Sequence, residues 1–157
     1  MNYMLREIRA EDIERIRPQA EHRHFIALFP EWRREFLDLI QDPDCYDGYT
    51  VELESGEILG IGLMILGPLN PSVGVMCVYA THIFKTYPLV VVRAAKEIIR
   101  RVIERNNLSA LVAYADKEDS RIPRWCRAFG FELIPTPPDA PAKVRDLDFY
   151  MLRCTNG

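Results

Sequence analysis

The feature that most constrains the fold is an apolar strand, a long amphipathic helix and a second apolar strand in direct succession. The first strand spans Val73–Ala80 and its composition predicts burial on both faces, the helix covers residues 88 to about 107, and the second strand covers residues 109–115. Two strands joined through such a helix pair in parallel, with a right-handed connection. The apolar face of the helix carries Val91, Ala95, Ile98 and Val102.

The remaining segments predict helices and antiparallel strands around this unit. Short helices are predicted at residues 10–17, 22–28 and from Pro30, strands at 4–8, 49–53, 58–66, 131–134 and 147–154, and a helix at 120–129 ending at Gly130. Gly60 and Gly62 indicate a bulge or the close approach of another segment. The proline-rich residues 135–141 predict a stiff exposed loop. We therefore predict one α/β domain over residues 1–157, an α+β mixed sheet, mostly antiparallel with one parallel crossover, flanked by helices.

Charge and cysteine usage exclude several classes of protein. With a net charge of -3, the chain lacks the excess of positive charge expected of a protein that binds nucleic acid or an anionic membrane surface. The four cysteines include no CxxC pair, and the three histidines have no partners at metal-ligand spacing, so neither a disulfide scaffold nor a metal site is predicted. The first residues lack the apolar core of a signal peptide, and no apolar stretch reaches membrane-spanning length, so we expect a cytoplasmic protein.

Two local sequences carry a resemblance to a known superfamily. Residues 5–13, LREIRAEDI, are similar to a first strand that leads through an acidic turn into a helix, and residues 124–131, RWCRAFGF, are similar to a late helix that ends in a Gly-Phe pair. Together with the element order, these segments resemble the GNAT N-acetyltransferase superfamily over essentially the whole chain. The resemblance implies a GNAT-like fold and a site for acetyl-CoA.

The sequence departs from the active members of that superfamily at the cofactor site. Their glycine-rich turn, whose amides hold a pyrophosphate, corresponds here to residues 83–90, which contain no glycine and include Pro88. Cys126 stands where the family commonly has the tyrosine that protonates the leaving thiolate, while Asp119 and Ile122 replace the usual Asn and Ala. These changes predict an eroded acetyl-CoA site.

Within the superfamily, residues 80–82, 88–105 and 124–131 resemble the small acetyltransferase-like internal virion protein of short-tailed bacteriophages. This narrower resemblance implies a structural or assembly component of a phage particle, with virion proteins or copies of itself as partners, present first in the host cytoplasm and then in the virion. The alternative is an active acyl-CoA-dependent N-acetyltransferase with a non-standard cofactor loop.

The active alternative assigns roles by resemblance. Backbone groups of Val78, Tyr79 and Ala80, with Lys85 and Asp119, would bind the cofactor, whereas His82 would be the base and Cys126 the proton donor. Each assignment has a structural alternative: His82 as a residue that caps a helix, Cys126 as an inert buried thiol, and Asp119 as part of a solvated loop at residues 116–119.

Overall fold

The computed structural model describes residues 2–17, 30–67, 70–117 and 121–154. Within these ranges, seven strands form one sheet in the order β1-β2-β3-β4-β5-β7-β6, in which only the β4–β5 pair is parallel. The strands are β1 Tyr3–Arg6, β2 Tyr46–Leu53, β3 Ile58–Leu66, β4 Val73–Ala80, β5 Ala110–Ala115, β6 Glu132–Ile134 and β7 Asp148–Arg153. The helices are α1 Ala10–Arg15, α2 Trp32–Leu39, α3 Pro88–Asn106 and α4 Arg121–Ala128. This mixed, mostly antiparallel sheet with helices on both faces confirms the predicted fold class.

Each face of the sheet has its own apolar core. Helix α3 buries Val91, Ile98 and Val102 against β2 and β3, and Cys126 of α4 belongs to the same cluster. On the opposite face, Ile13 of α1 and Trp32 of α2 pack in a second cluster. The helices thus cover both faces, as their amphipathic sequences require.

The long helix ends as its sequence predicts. Pro88 occupies its first turn, where the missing N–H removes no intrahelical bond, and Asn107 takes a left-handed conformation with φ of 51° just after its end. Gly130, with φ of 88°, does the same after α4, and the amide of Phe131 donates to the carbonyl of Cys126 at 2.8 Å. Both stops fix where the following strand begins.

Helix α1 is anchored to the sheet through the buried carboxylate of Asp12. The guanidinium of Arg6 donates to both of its oxygens at 2.7 Å, and the hydroxyl of Thr50 donates at 2.8 Å. The backbone amide of Arg9 donates to the same carboxylate at 2.8 Å. Burial alone would raise the pKa of Asp12, but these donors hold that pKa below its usual value.

Several sequence-predicted details are wrong. The loop at residues 135–141 is not exposed throughout, because Ala140 packs with Val144 and Leu147 in a small apolar cluster beside β5. Val78 of β4 is 52% exposed, so that strand is not buried on both faces. The predicted helix at residues 22–28 lies outside the described residues. Within the described ranges, no helix combines the length and apolarity needed to cross a membrane.

Candidate active site

The two parallel strands at the centre of the sheet separate along their length. Pairing between β4 and β5 extends only from Val73–Ala110 to Val75–Val112, although β4 continues to Ala80 and β5 to Ala115. The space between the separated ends opens into a cavity of about 540 Å³. Its size lies within the range of small-molecule sites in proteins.

The outer partners of the two strands keep them apart. Strand β3 pairs with β4 as far as Gly60–Ala80, and the amide of Thr81 donates to the carbonyl of Leu59 at 3.0 Å. Strand β7 pairs with β5 along its whole length, from Ala110 to Ala115. Since each strand has an antiparallel partner on its far side, the cleft can stay open without either strand losing its place in the sheet.

The two glycines of β3 allow the close packing behind the cleft. A Cβ atom on Gly60 would lie 2.7 Å from the carbonyl oxygen of Tyr79, and one on Gly62 would lie 3.0 Å from Cδ1 of Ile98. The β2–β3 register also shifts between Val51 and Glu52. Both sequence alternatives, a bulge and a close approach, are therefore present here.

The cavity has one apolar wall and one more polar region. Helix α3 supplies the apolar wall through Val91, Ala94, Ala95, Ile98 and Ile99. The polar groups lie towards the separated strand ends, where Cys77, Tyr79, Tyr114 and Asp116 line the same space. The lining therefore includes members of the core clusters on both faces of the sheet.

Aromatic side chains join two walls of the cavity. Phe84 follows β4, in a 3-10 helix at His82–Thr86. The centroid of its ring lies 5.5 Å from the centroid of the Trp125 ring on α4. The ring of Trp125 also lies 5.7 Å from that of Phe129. All three residues line the cavity. This aromatic group therefore joins the segment after β4 to helix α4 at the cavity wall.

The structure brings together most of the sequence-predicted site residues. Those that line the cavity are Val78, Tyr79, Ala80, Lys85 and Cys126. His82 lies on the exposed 3-10 helix and is not part of the cavity wall. Asp119 lies outside the described residues.

Burial keeps two thiols and two tyrosine hydroxyls of the cavity wall protonated at neutral pH. It raises the pKa of the Cys126 thiol to about 11 and that of the Cys77 thiol to about 12. Burial also raises the pKa of the Tyr79 and Tyr114 hydroxyls above their ordinary value. These four groups can donate protons at neutral pH but cannot serve as bases.

The segment after β4 differs from a phosphate-binding turn. The amide of Phe84 donates to the carbonyl of Thr81 at 3.1 Å, and the amide of Val91 donates to that of Tyr87 at 3.1 Å. Pro88 has no amide hydrogen, so helix geometry leaves only the amides of Leu89 and Val90 without an intrahelical acceptor in this turn. A phosphate would find fewer backbone donors here than in a glycine-rich turn.

Sequence reasoning missed the apolar depth of the site. Ala94 and Ala95 of α3 and the two glycines of β3 leave space that larger side chains would fill. Phe84 and Trp125 meet only in the folded chain. The sequence does contain these two glycines and two alanines, but nothing in it shows that they face one another. That becomes clear only when α3 is seen to pack on β3.

No family model matches the sequence, and no curated protein matches it. Solved structures do resemble the fold. The chain is similar to the N-acetyltransferase PaiA from Thermoplasma acidophilum in complex with coenzyme A, with a TM-score of 0.71 and 10% identity, covering 98% of this chain and 100% of that chain. It is similar to the N-acetyltransferase PseH from Campylobacter jejuni in complex with acetyl coenzyme A, with a TM-score of 0.61 and 19% identity over 97% and 99% of the two chains.

A variant of the spermidine N-acetyltransferase from Vibrio cholerae matches with a TM-score of 0.64 and 12% identity, over 96% of this chain and 93% of that chain. These likenesses span nearly the whole length of each protein. The chain therefore has the GNAT fold that its sequence resembles, and at these identities the likeness extends to the fold alone.

Proposed function

We propose that the chain is an acyl-CoA-dependent N-acyltransferase that binds the pantetheine arm of its donor between β4 and β5. The observation that carries this proposal is the separation of the two strands beyond Val75 and Val112, which opens a cavity of about 540 Å³ lined by residues from both faces of the sheet. A thioester held on one face could then meet an amine that arrives from the other. The complexes of PaiA and PseH with coenzyme A and acetyl coenzyme A support the same class of donor.

The exposed edge of β4 suits an amide-containing chain. Val78 is 52% exposed although it lies in a central strand, and Val78, Tyr79 and Ala80 all line the cavity. Backbone groups at Val78 and Ala80 would pair with the pantetheine amides as a neighbouring strand would. Lys85, exposed at the same end, would contribute charge towards a phosphate.

The chemistry requires the amine nitrogen to attack the thioester carbonyl carbon, after which the C–S bond breaks and the sulfur takes a proton. Cys126 is our candidate for the donor of that proton, because its thiol is buried in the cavity wall and is protonated at neutral pH. Neither His82, which lies outside the cavity wall, nor Asp116, which lines it, is assigned as the base. Water or a second molecule of amine would take the proton from the attacking nitrogen.

Calorimetric titration with acetyl-CoA and with CoA tests the proposal. We expect saturable binding of both, and we expect Ala113→Leu to weaken it at least tenfold, because Ala113 lines the cavity on β5. Ala128→Leu is the matched control, since Ala128 is exposed on α4 and outside the cavity wall. Absence of binding to the wild-type protein at millimolar ligand would overturn the proposal.

A second candidate is a structural or assembly component of a phage particle that has the fold but a degenerate acetyl-CoA site. The glycine-free segment at residues 83–90 supports it, because this segment offers few amides to a pyrophosphate. The prediction for this candidate is self-association or assembly with virion proteins, without CoA binding. Sedimentation of the purified chain, with and without CoA, separates the two candidates.

A further inference from the structure

We propose that the donor carries a medium-length acyl chain, of roughly six to ten carbons, in place of an acetyl group. This inference rests on the proposed function and names its substrate class. The observation behind it is that the cavity continues past the strand gap, beneath α3, as far as Val51 of β2 and Leu59 of β3. An acetyl group would occupy only the part beside β4 and β5.

The geometry sets the length of the chain. Val51 lies on the strand two positions away from β4 in the sheet, which is about 10 Å at the usual strand spacing. Small residues keep the route open: Gly60 and Gly62 on the sheet side, and Ala94 and Ala95 on the helix side. The side chains at the far end, Val51 and Leu59, are buried and apolar.

The chemistry of the lining selects an alkyl chain over a polar ligand. Among the residues that the structure describes, the ionisable groups of the cavity wall are Cys77, Tyr79, Lys85, Tyr114, Asp116 and Cys126, and none of these comes from β2, β3 or α3. A polar group beneath α3 would lose its water without gaining a side-chain hydrogen-bond partner from those walls, at an unfavourable cost. A methylene chain loses no hydrogen bonds to water there and gains van der Waals contact with the apolar wall.

Burial of an acyl chain would also offset the poor phosphate turn. The segment after β4 offers few backbone amides to a pyrophosphate, so it would contribute little to donor affinity. Each methylene buried strengthens binding about fourfold, equivalent to about 0.8 kcal/mol. Three or four methylenes therefore contribute about as much as one or two charge-assisted hydrogen bonds. They do so at the acyl end of the donor, which distinguishes one acyl-CoA from another.

The test is a calorimetric series with CoA, acetyl-, butyryl-, hexanoyl-, octanoyl- and decanoyl-CoA, each kept below its micelle concentration. We expect the dissociation constant to fall about fourfold per added methylene at first, and to level off near eight carbons. A dissociation constant that is the same from acetyl to octanoyl would overturn the inference while leaving the proposed function intact. Failure of every ester, and of CoA itself, to bind would overturn both.

Two cavity variants test where the acyl chain of the donor binds. Ala95→Leu fills part of the wall at a half-exposed position of α3, so it should fold, and we expect it to weaken octanoyl-CoA at least tenfold while acetyl-CoA changes less than twofold. Ile99→Ala enlarges the same wall and should move the optimum to longer chains. Ala128→Leu, outside the cavity, should leave the series unchanged. Equal effects of Ala95→Leu and Ala128→Leu on octanoyl-CoA would overturn the inference.

Discussion

The rings of Phe84 and Trp125 meet edge to face, with centroids 5.5 Å apart and planes at 62°, and join the segment after β4 to helix α4. Both residues line the cavity. We predict that their contact stabilises the fold and also restricts the entry of a CoA donor. The two effects can be separated by mutation.

We predict that Phe84→Leu and Trp125→Leu couple in a double-mutant cycle, with an interaction energy of about 1 kcal/mol in the free energy of unfolding. Phe84→Leu should also accelerate both association and dissociation of acetyl-CoA several-fold, because it removes one half of the obstruction. Urea denaturation measures the first effect and stopped-flow fluorescence the second. Additive stabilities with unchanged rates would show that the contact does not control entry.

Gly60 is predicted to matter for ligand binding although it bears no side chain. Gly60→Ala would place a Cβ atom 2.7 Å from the backbone oxygen of Tyr79, so β4 must shift beside the cleft. We expect a loss of about 2 kcal/mol in the free energy of unfolding together with weaker acetyl-CoA binding.

The control for this prediction is Gly56→Ala in the β2–β3 turn. Gly56 has φ of 85° and open space around it, so its replacement costs backbone strain of about 1 kcal/mol without displacing β4. This variant should keep full affinity for acetyl-CoA. If both glycine variants bind equally well, the position of β4 does not set the affinity.

The buried carboxylate of Asp12 predicts that the free energy of unfolding falls at acidic pH. Its pKa is lowered in the folded protein, because the donors from Arg6, Thr50 and the Arg9 amide outweigh the effect of burial. The stabilisation is therefore complete above the unfolded-state pKa and is lost as the pH falls through the lower folded-state pKa. Asp12→Asn should cost about 3 kcal/mol at pH 7 and flatten the stability profile below about pH 4.

Chemical denaturation between pH 2 and 7 measures this profile. Glu54→Gln, at an exposed position in the β2–β3 turn, provides the matched removal of one carboxylate and should leave both the stability and its slope nearly unchanged. An Asp12→Asn profile that runs parallel to the wild-type profile would contradict the assignment.

The thiol of Cys126 is predicted to affect turnover but not donor binding. Cys126→Ala should lower kcat about 100-fold, the lower end of what a general acid contributes, and Cys126→Ser should retain part of the activity. Since burial raises the pKa of this thiol to about 11, ionisation of Cys126 should not reduce kcat between pH 7 and 9. A Cys126→Ala variant with wild-type kcat would leave only a packing role.

The sequence predicts much of the fold because its strongest patterns are local. Helix α3 begins at Pro88 and ends just before Asn107, and Gly130 follows the end of α4, as expected. Strand β2 begins at Tyr46, earlier than predicted, because tertiary bonds hold its polar start. The carboxylate of Asp47 accepts bonds from Arg105 at 3.1 Å and Asn106 at 2.8 Å at the end of α3.

The site is less predictable because it depends on where strands stop pairing. No local pattern marks Val75 and Val112 as the last paired residues of β4 and β5. The same limit applies to His82, which follows β4 by two residues in sequence but is exposed on the 3-10 helix and does not line the cavity. The resemblance to the GNAT superfamily pointed to five residues that line the cavity. The part of the cavity beneath α3 could not be predicted in this way, because it forms only where the helix packs on the sheet.

The central claim is that a CoA thioester binds in the cleft between β4 and β5. Amide nitrogen–proton correlation spectra, recorded during a titration with acetyl-CoA, test it most directly. We expect saturable shifts of the amide signals of Val78, Ala80, Ala113 and Ala115, with little change along β1. Spectra that stay unchanged up to millimolar acetyl-CoA, or that change only away from the cleft, would contradict it.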